Sequence, residues 1–215
     1  MEKSIIVAGV GGQGVLLVGQ TLSNAANETT DKFVTYFPSY GMQKRGGTSE
    51  CYVVISDEPI GVPKPKLVDY LLAFNTEAFN RFKGNVKPGG TVFLNAAEDE
   101  AESVSTNADM LVGMGEGAAT DASAMNECAA ADVPADTEGF KVVRVDAAKT
   151  AFNLGSSKAL NLVMTGALIG YSDLMPAENV LQTIFKKLGA KHPEMNEMNE
   201  KAYSLGLEAG RRSVR

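Results

Sequence analysis

The sequence predicts an α/β fold: a Rossmann-like, doubly wound sheet in three layers, with a helical C-terminal third packed on the same sheet. Three observations predict it. The chain opens with SIIVAG (4–9), an apolar run without polar alternation, followed at once by a glycine-rich turn and a helix-patterned stretch. Strand-like and helix-like segments then alternate as far as residue 95. From 147 to 213 the pattern is helical almost throughout.

Each element follows from its local pattern. SIIVAG reads as a buried central strand, and VGGQG turns the chain. VLLVGQTLSNAAN places Val15, Val18, Leu22 and Ala25 on one helical face. KFVTYF (32–37) is a second strand. TSECYVVIS (48–56) is a third, with Cys51, Val53 and Ile55 on one face and Tyr52 and Val54 on the other. DEPIGVPKPK (57–66), with its three prolines, is a loop. VDYLLAF (68–74) is again a buried strand, followed by a helix from about Thr76 to Lys83. KPGG (87–90) reads as a turn before the strand TVFLN (91–95), and KVVRVDA (141–147) as a further strand. Asp146 stands where a side chain would cap the next helix, and Pro176 and Pro193 where two later helices would begin.

At 215 residues the chain suffices for one sizeable core, and residues 1–215 are expected to form a single domain with an acidic insertion at about 96–140. That segment carries eleven acids, Glu98, Asp99, Glu100, Glu102, Asp109, Glu116, Asp121, Glu127, Asp132, Asp136 and Glu138, and no Lys or Arg. Without them, fifteen of the 26 acids remain against 20 bases, so the net charge of −6 conceals a mildly basic body. Like charges with few apolar anchors predict an exposed excursion, either solvated or contacting a partner. Limited proteolysis is expected to cut between 98 and 138 first, leaving the two fragments associated.

No apolar run approaches the roughly 20 residues of a membrane helix. The lysine and short apolar run of MEKSIIVAGVGGQG resemble a signal peptide only until Gly9 interrupts them. Cys51 and Cys128 are far apart, which supports neither a disulfide framework nor a cysteine-ligated metal or iron–sulfur site, and a reduced, cytoplasmic setting is expected. The basic excess is modest and lacks aromatic interleaving, so neither nucleic acid nor membrane is expected as a partner.

Gly9, Gly11 and Gly14 fit G-x-G-x-x-G between a strand and a helix. Such a turn offers the helix's free N–H groups to an anion, or merely allows strand and helix to pack closely. A dinucleotide site also wants an acid at the end of the second strand, and Thr35-Tyr36-Phe37-Pro38-Ser39 supplies none. Gln13 can face whatever lies above the turn. In the second candidate loop, YFPSYGMQKRGGTSE (36–50), Arg45 can clamp a phosphate or carboxylate at two points, and Gly46 and Gly47 let backbone amides approach it. Tyr40 offers a ring and a hydroxyl, and Ser39 and Thr48 add small donors. The alternative is a solvated basic turn, with Lys44 beside Arg45. Asn161 is placed to hydrogen-bond a backbone end near the glycine turn, His192 to begin a helix, and MNEMNE (195–200) to form a helix surface without chemistry.

GVGGQGVLLVGQTLSNAA, FPSYGMQKRGGTSECYVVISDEPI and ALNLVMTGALIG (159–170) together resemble the gamma subunit of 2-oxoacid:ferredoxin oxidoreductases. The likeness runs over about 1–95 and 141–210 and leaves out the acidic segment. It implies a subunit of an enzyme that oxidatively decarboxylates a 2-oxoacid on thiamine diphosphate, passes electrons through iron–sulfur clusters to ferredoxin, and transfers the acyl group to coenzyme A. The chain has no G-D-G…N stretch for a thiamine diphosphate magnesium and no cysteine set for a cluster. By this resemblance no cofactor is held firmly here. Thiamine diphosphate, magnesium and clusters belong to alpha, beta and ferredoxin-like delta partners, and ferredoxin is reached indirectly. The implied contact residues toward coenzyme A or a neighbouring subunit are Gly9, Gly11, Gly12, Gln13, Gly14, Tyr40, Arg45, Gly46, Gly47 and Thr48. Members of the 2-oxoglutarate type read Pro-Glu-Met where this chain has Met42-Gln43-Lys44, which leaves the particular oxoacid open. Two other classes stand beside this one: a self-contained Rossmann-type oxidoreductase and a non-enzymatic interaction module.

Overall fold

The computed structural model describes residues 1–39, 48–96, 139–189 and 192–214. The acidic stretch 97–138 and the loop 40–47 lie outside the described residues, and with them the expectations placed on Tyr40, Arg45, Gly46, Gly47 and the insertion.

Six strands form one mixed sheet: β1 (Glu2–Val10), β2 (Phe33–Ser39), β3 (Thr48–Ser56), β4 (Val68–Ala73), β5 (Val86–Asn95) and β6 (Lys141–Val145). Their order is β2-β3-β1-β4-β5-β6. β1, β4, β5 and β6 are parallel neighbours, as the buried, non-alternating apolar runs of β1 and β4 require. β3 departs from a purely parallel sheet by running antiparallel between β1 and β2. The reason is the connection from β2 to β3, which is too short for a crossover and joins antiparallel neighbours. β1 and β2 consequently point the same way, with β3 between them.

The helices are α1 (Val15–Thr29), α2 (Thr76–Phe82), α3 (Ala147–Asn153), α4 (Leu160–Ser172), α5 (Ala177–Ile184) and α6 (Asn196–Ser213). Period-2 alternation divides the core. Ile5, Val7, Cys51, Val53, Leu72 and Phe93 face α1 and the C-terminal helices. Ile6, Ala8, Tyr52, Leu71 and Val92 face the other way, toward Ala78, Phe79 and Phe82 of α2. The third layer is therefore thin. α4 is buried along residues 161–169 because it lies between the sheet and α6, which explains why it lacks an amphipathic pattern.

Two local expectations are corrected. KPGG belongs to β5, where the pairing with β4 slips between Val68 and Tyr70. Gly89 at φ +77° and Gly90, packed against the Asp69 carbonyl, form a bulge, so the glycines bend the strand and do not precede it. Asp146 occupies the cap position of α3 but caps nothing with its side chain. Asn95 Oδ1 instead accepts from Ala148 N at 3.0 Å, from the end of the neighbouring strand.

At the amino end of the sheet, Asp69 accepts from Ser4 N and Oγ and from Lys87 Nζ, each at 2.9 Å, and Lys3 lies 3.5 Å away. Burial pushes its pKa up, but the hydrogen bonds from Lys87 and Ser4 outweigh burial and hold it below the usual carboxylate value. A depressed folded pKa stabilises the protein above the unfolded-state pKa, and that contribution is lost as pH falls through the folded value. Asp69→Asn is expected to be less stable than the parent near neutral pH, with the gap closing as the pH is lowered below 4, about the unfolded carboxylate value. Urea titrations across that range check it; a gap that does not narrow on acidification would contradict it.

Candidate functional site

β1 ends at Val10, and the chain turns over Gly11 and Gly12 (φ +100°) into Gly14 (φ +82°), which caps α1. Both conformations lie in the left-handed region that favours glycine. No side chain caps α1, so the amides of its first turn face outward without a local acceptor. Gly9 has a packing role: a Cβ there would lie 2.6 Å from Gln13 Oε1 and 2.9 Å from Phe74 Cβ. Gln13 borders an open cavity beside the turn. Its Oε1 folds back to accept from Val10 N at 2.8 Å, while its own N donates to Val10 O at 3.2 Å. The side chain thus replaces the strand partner that Val10 loses at the end of β1.

Adjacent strand ends are built alike. Asn75, after β4, caps α2 by accepting from Ala78 N at 2.7 Å, and its Nδ2 lies 3.5 Å from Gln13 Oε1. Asn95, the last residue of β5, donates to Phe74 O at 3.3 Å besides holding α3. Three amide side chains therefore fasten three successive turns at the carboxyl ends of parallel strands. α1 covers one face and α2 the other, so the crevice between β1 and β4 is the switch point at which open α/β sheets collect ligands.

Thr48 pairs with Val10, and Ser39 with Glu50, so both ends of the 40–47 connection stand at the end of the sheet that carries the glycine turn. Beside that turn lies a cavity of about 690 Å³, open to solvent, between the start of α1, the 156–162 segment and the start of α6. Its polar end is Gly12, Gly14 and Asn161; Lys158 stands exposed at its border. Asn161 is 7% exposed, and a Cβ on Gly14 would collide with its amide nitrogen. Asn161 was expected to bond a backbone end here, but its Oδ1 has no hydrogen-bond partner among the described residues.

Sequence reasoning missed Lys158 with Ser156 and Ser157; the signal was a small polar run directly before a helix, next to the ALNLVMTG block. MNEMNE (195–200) ends the turn before α6 and begins that helix, and its Met195 and Met198 line the cavity. His192 precedes the short turn Pro193–Met195 as expected and sits at the cavity border, its Nδ1 3.1 Å from Glu194 Oε1. Cys51 is buried and its thiol is pushed up to about 12 by that burial, which makes it a packing residue and no nucleophile. Among the described residues no cluster of His, Cys, Asp or Glu is placed to hold a metal ion, and no helix is long and apolar enough to cross a membrane.

The architecture is an open α/β sheet with a glycine turn and a cavity at its switch point. The chain belongs to the pyruvate ferredoxin/flavodoxin oxidoreductase family, whose model matches residues 4–209. It is 44% identical over 96 residues to the ketoisovalerate oxidoreductase subunit VorA of Methanothermobacter marburgensis, covering 45% of this chain and 20% of that one. It is 32% identical over 213 residues to the indolepyruvate oxidoreductase subunit IorB of Pyrococcus horikoshii, covering 98% and 96%. Of the curated relatives it matches first, the chain spans half the length or less. Its fold is shared by the keto/oxoacid ferredoxin oxidoreductase gamma subunit of Geobacter sulfurreducens (TM-score 0.72, 21% identity, 99% of this chain and 98% of that one). The same fold makes up 31% of a chain of the 2-oxoglutarate:ferredoxin oxidoreductase of Magnetococcus marinus, solved with 2-oxoglutarate, coenzyme A and succinyl-CoA bound (TM-score 0.74, 22% identity, 98% of this chain).

Proposed function

We propose that the chain, as a single gamma-type domain over residues 1–215, is the gamma subunit of a 2-oxoacid:ferredoxin oxidoreductase. In this reading alpha, beta and ferredoxin-like delta partners carry thiamine diphosphate, magnesium and the iron–sulfur clusters. Thiamine diphosphate supplies the decarboxylation chemistry there. This chain contributes one rim, at which the glycine turn and both ends of the Arg45 connection stand, and this rim faces coenzyme A and the neighbouring subunit.

The observation that carries the reading is the convergence of the family's sequence blocks: the glycine turn, both ends of the Arg45 connection and Asn161 all come to one end of the sheet. The residues present suit an anionic, nucleotide-sized ligand. Free α1 amides attract a phosphate, Gly12 leaves the approach open, and the cavity lies in the usual range for small-molecule sites. Arg45 adds a charge-assisted clamp from the connection.

The test is reconstitution. The isolated chain is expected to show no turnover with any 2-oxoacid, coenzyme A and an artificial acceptor. In the reconstituted complex, Arg45→Ala should weaken assembly or coenzyme A–dependent turnover by roughly 1.5–3 kcal/mol, the size of a lost charged hydrogen bond, while thermal melting of the chain barely moves. Unchanged assembly together with an unchanged dependence of rate on coenzyme A would reduce the connection to a turn.

A further inference from the structure

The amino end of the sheet, opposite the glycine turn, carries polar groups that the rim does not use. Lys3 of β1, Tyr70 of β4 and Lys87 of β5 line a cavity of about 210 Å³ there, beneath Tyr171 of α4. That volume lies below the roughly 300–1,000 Å³ of pockets that take drug-sized molecules, so a ligand here is small. Lys3 and Lys87 both pair with Asp69, so two cations share one carboxylate and one positive charge is left over. Lys87 Nζ holds the short bond, at 2.9 Å from Asp69 Oδ2. Lys3 Nζ stands 3.5 Å from Oδ1 and 5.9 Å from the centre of the Tyr70 ring, and makes no hydrogen bond among the described residues although its side chain is only 30% exposed. The Tyr70 hydroxyl likewise has no hydrogen-bond partner among the described residues. Burial above all, then Asp69 and Tyr171 beside it, raises its pKa, so it stays protonated and able to donate. Lys141 adds nothing to this count, because its ammonium donates to Ser213 O at the end of α6. Gly89, on the bulge of β5, has open space where a Cβ would stand, so no side chain closes the cavity from that side.

We propose that this cavity binds a small free oxyanion of the phosphate type, held by the ammonium groups of Lys3 and Lys87 and by the Tyr70 hydroxyl. An ammonium carries three donors and no acceptor, so Lys3 has all of its donors to offer and Lys87 keeps two beyond its bond to Asp69. The donors come from three strands and so approach from different sides. A tetrahedral anion with four oxygens meets such a set better than the flat edge of a carboxylate does. Asp69 is not a contact of the anion but the group that positions both lysines. The site stands at the other end of the strands from the glycine turn, so it does not depend on what the rim binds.

The experiment is a titration of the isotopically labelled full chain with sodium phosphate, sodium acetate and sodium chloride at matched ionic strength, read from the backbone amide resonances. Phosphate should shift the amides of Ser4, Tyr70, Gly89, Gly90 and Thr91 saturably, acetate should do so more weakly, and chloride should leave them in place. Lys3→Met should weaken phosphate at these amides about tenfold, the size of one hydrogen bond to a charged group, and Tyr70→Phe, which keeps the ring, about fivefold. The inference is overturned if phosphate shifts only the glycine turn at residues 11–15, if acetate or chloride matches phosphate at the amino end, or if either variant binds phosphate as tightly as the parent. Should a variant fail to fold, the place of the shifts and the ranking of the three anions on the parent chain still decide.

Discussion

Phe93→Ala is expected to cost about 3–5 kcal/mol, which is most of the stability of a marginal domain. Phe93 is fully buried in β5, facing the C-terminal helices. Its ring meets Tyr171 of α4 edge-on at 5.3 Å and Tyr70 of β4 at 6.4 Å, and the Tyr171 hydroxyl is itself held by Thr91 at 3.3 Å. These contacts join strand to strand and sheet to helix, so the space left by alanine cannot close by moving one side chain. Urea unfolding should show a much lower midpoint with an unchanged slope. Phe152→Ala is the control: that side chain is 82% exposed, and its loss should shift stability by no more than about 0.5 kcal/mol. Equal effects at the two positions would mean that the packing around Phe93 is misassigned.

Gly206→Val should destabilise by about 3 kcal/mol, although helix propensity alone predicts a gain over glycine. Gly206 and Gly210 of α6 lie against Gly166 and Gly170 of α4 with backbone touching backbone. A Cβ at 206 would overlap the Val163 carbonyl oxygen and stand 2.9 Å from its carbon, and one at 166 would meet the Tyr203 carbonyl. Neither neighbour is a flexible side chain, so the helices themselves must separate. Gly206→Ala separates the two effects, since propensity and overlap oppose each other there; a more stable alanine variant, measured by chemical denaturation, would show that the helices slide apart at little cost.

The sequence made much of this fold legible because period and burial agree. In β3 the expected faces hold residue for residue, Cys51, Val53 and Ile55 on one side and Tyr52 on the other. β3's direction was not legible, since alternation tells which way side chains point and not which neighbour a strand pairs with. The α4–α6 contact was hidden for a related reason. Its information is in what glycine lacks, and Gly166, Gly170, Gly206 and Gly210 read in sequence only as weak helix formers. In the site, the glycine turn was legible and its partner was half so. Asn161 was singled out, but an unsatisfied amide oxygen is a property of three dimensions. That the Gln13 acceptor serves Val10 N, three residues back, was not legible either, since the motif says nothing of which backbone group its side chain meets.

The amides that fasten the strand ends, Gln13, Asn75 and Asn95, have an electrostatic consequence. Aspartate caps a helix as well as asparagine does, so Asn75 fixes more than the start of α2. A row of carboxylates in these positions could accept the same backbone N–H bonds, though it could not donate as Asn95 Nδ2 does to Phe74 O, and would set a negative potential across the mouth of the crevice. Neutral amides build the turns without that field. The partial positive charge at the start of α1 and the cation of Lys158 then act on the surrounding solution without opposition from these three turns, raising the local concentration of anions and the rate at which they arrive, an advantage that fades as salt shortens the reach of charge.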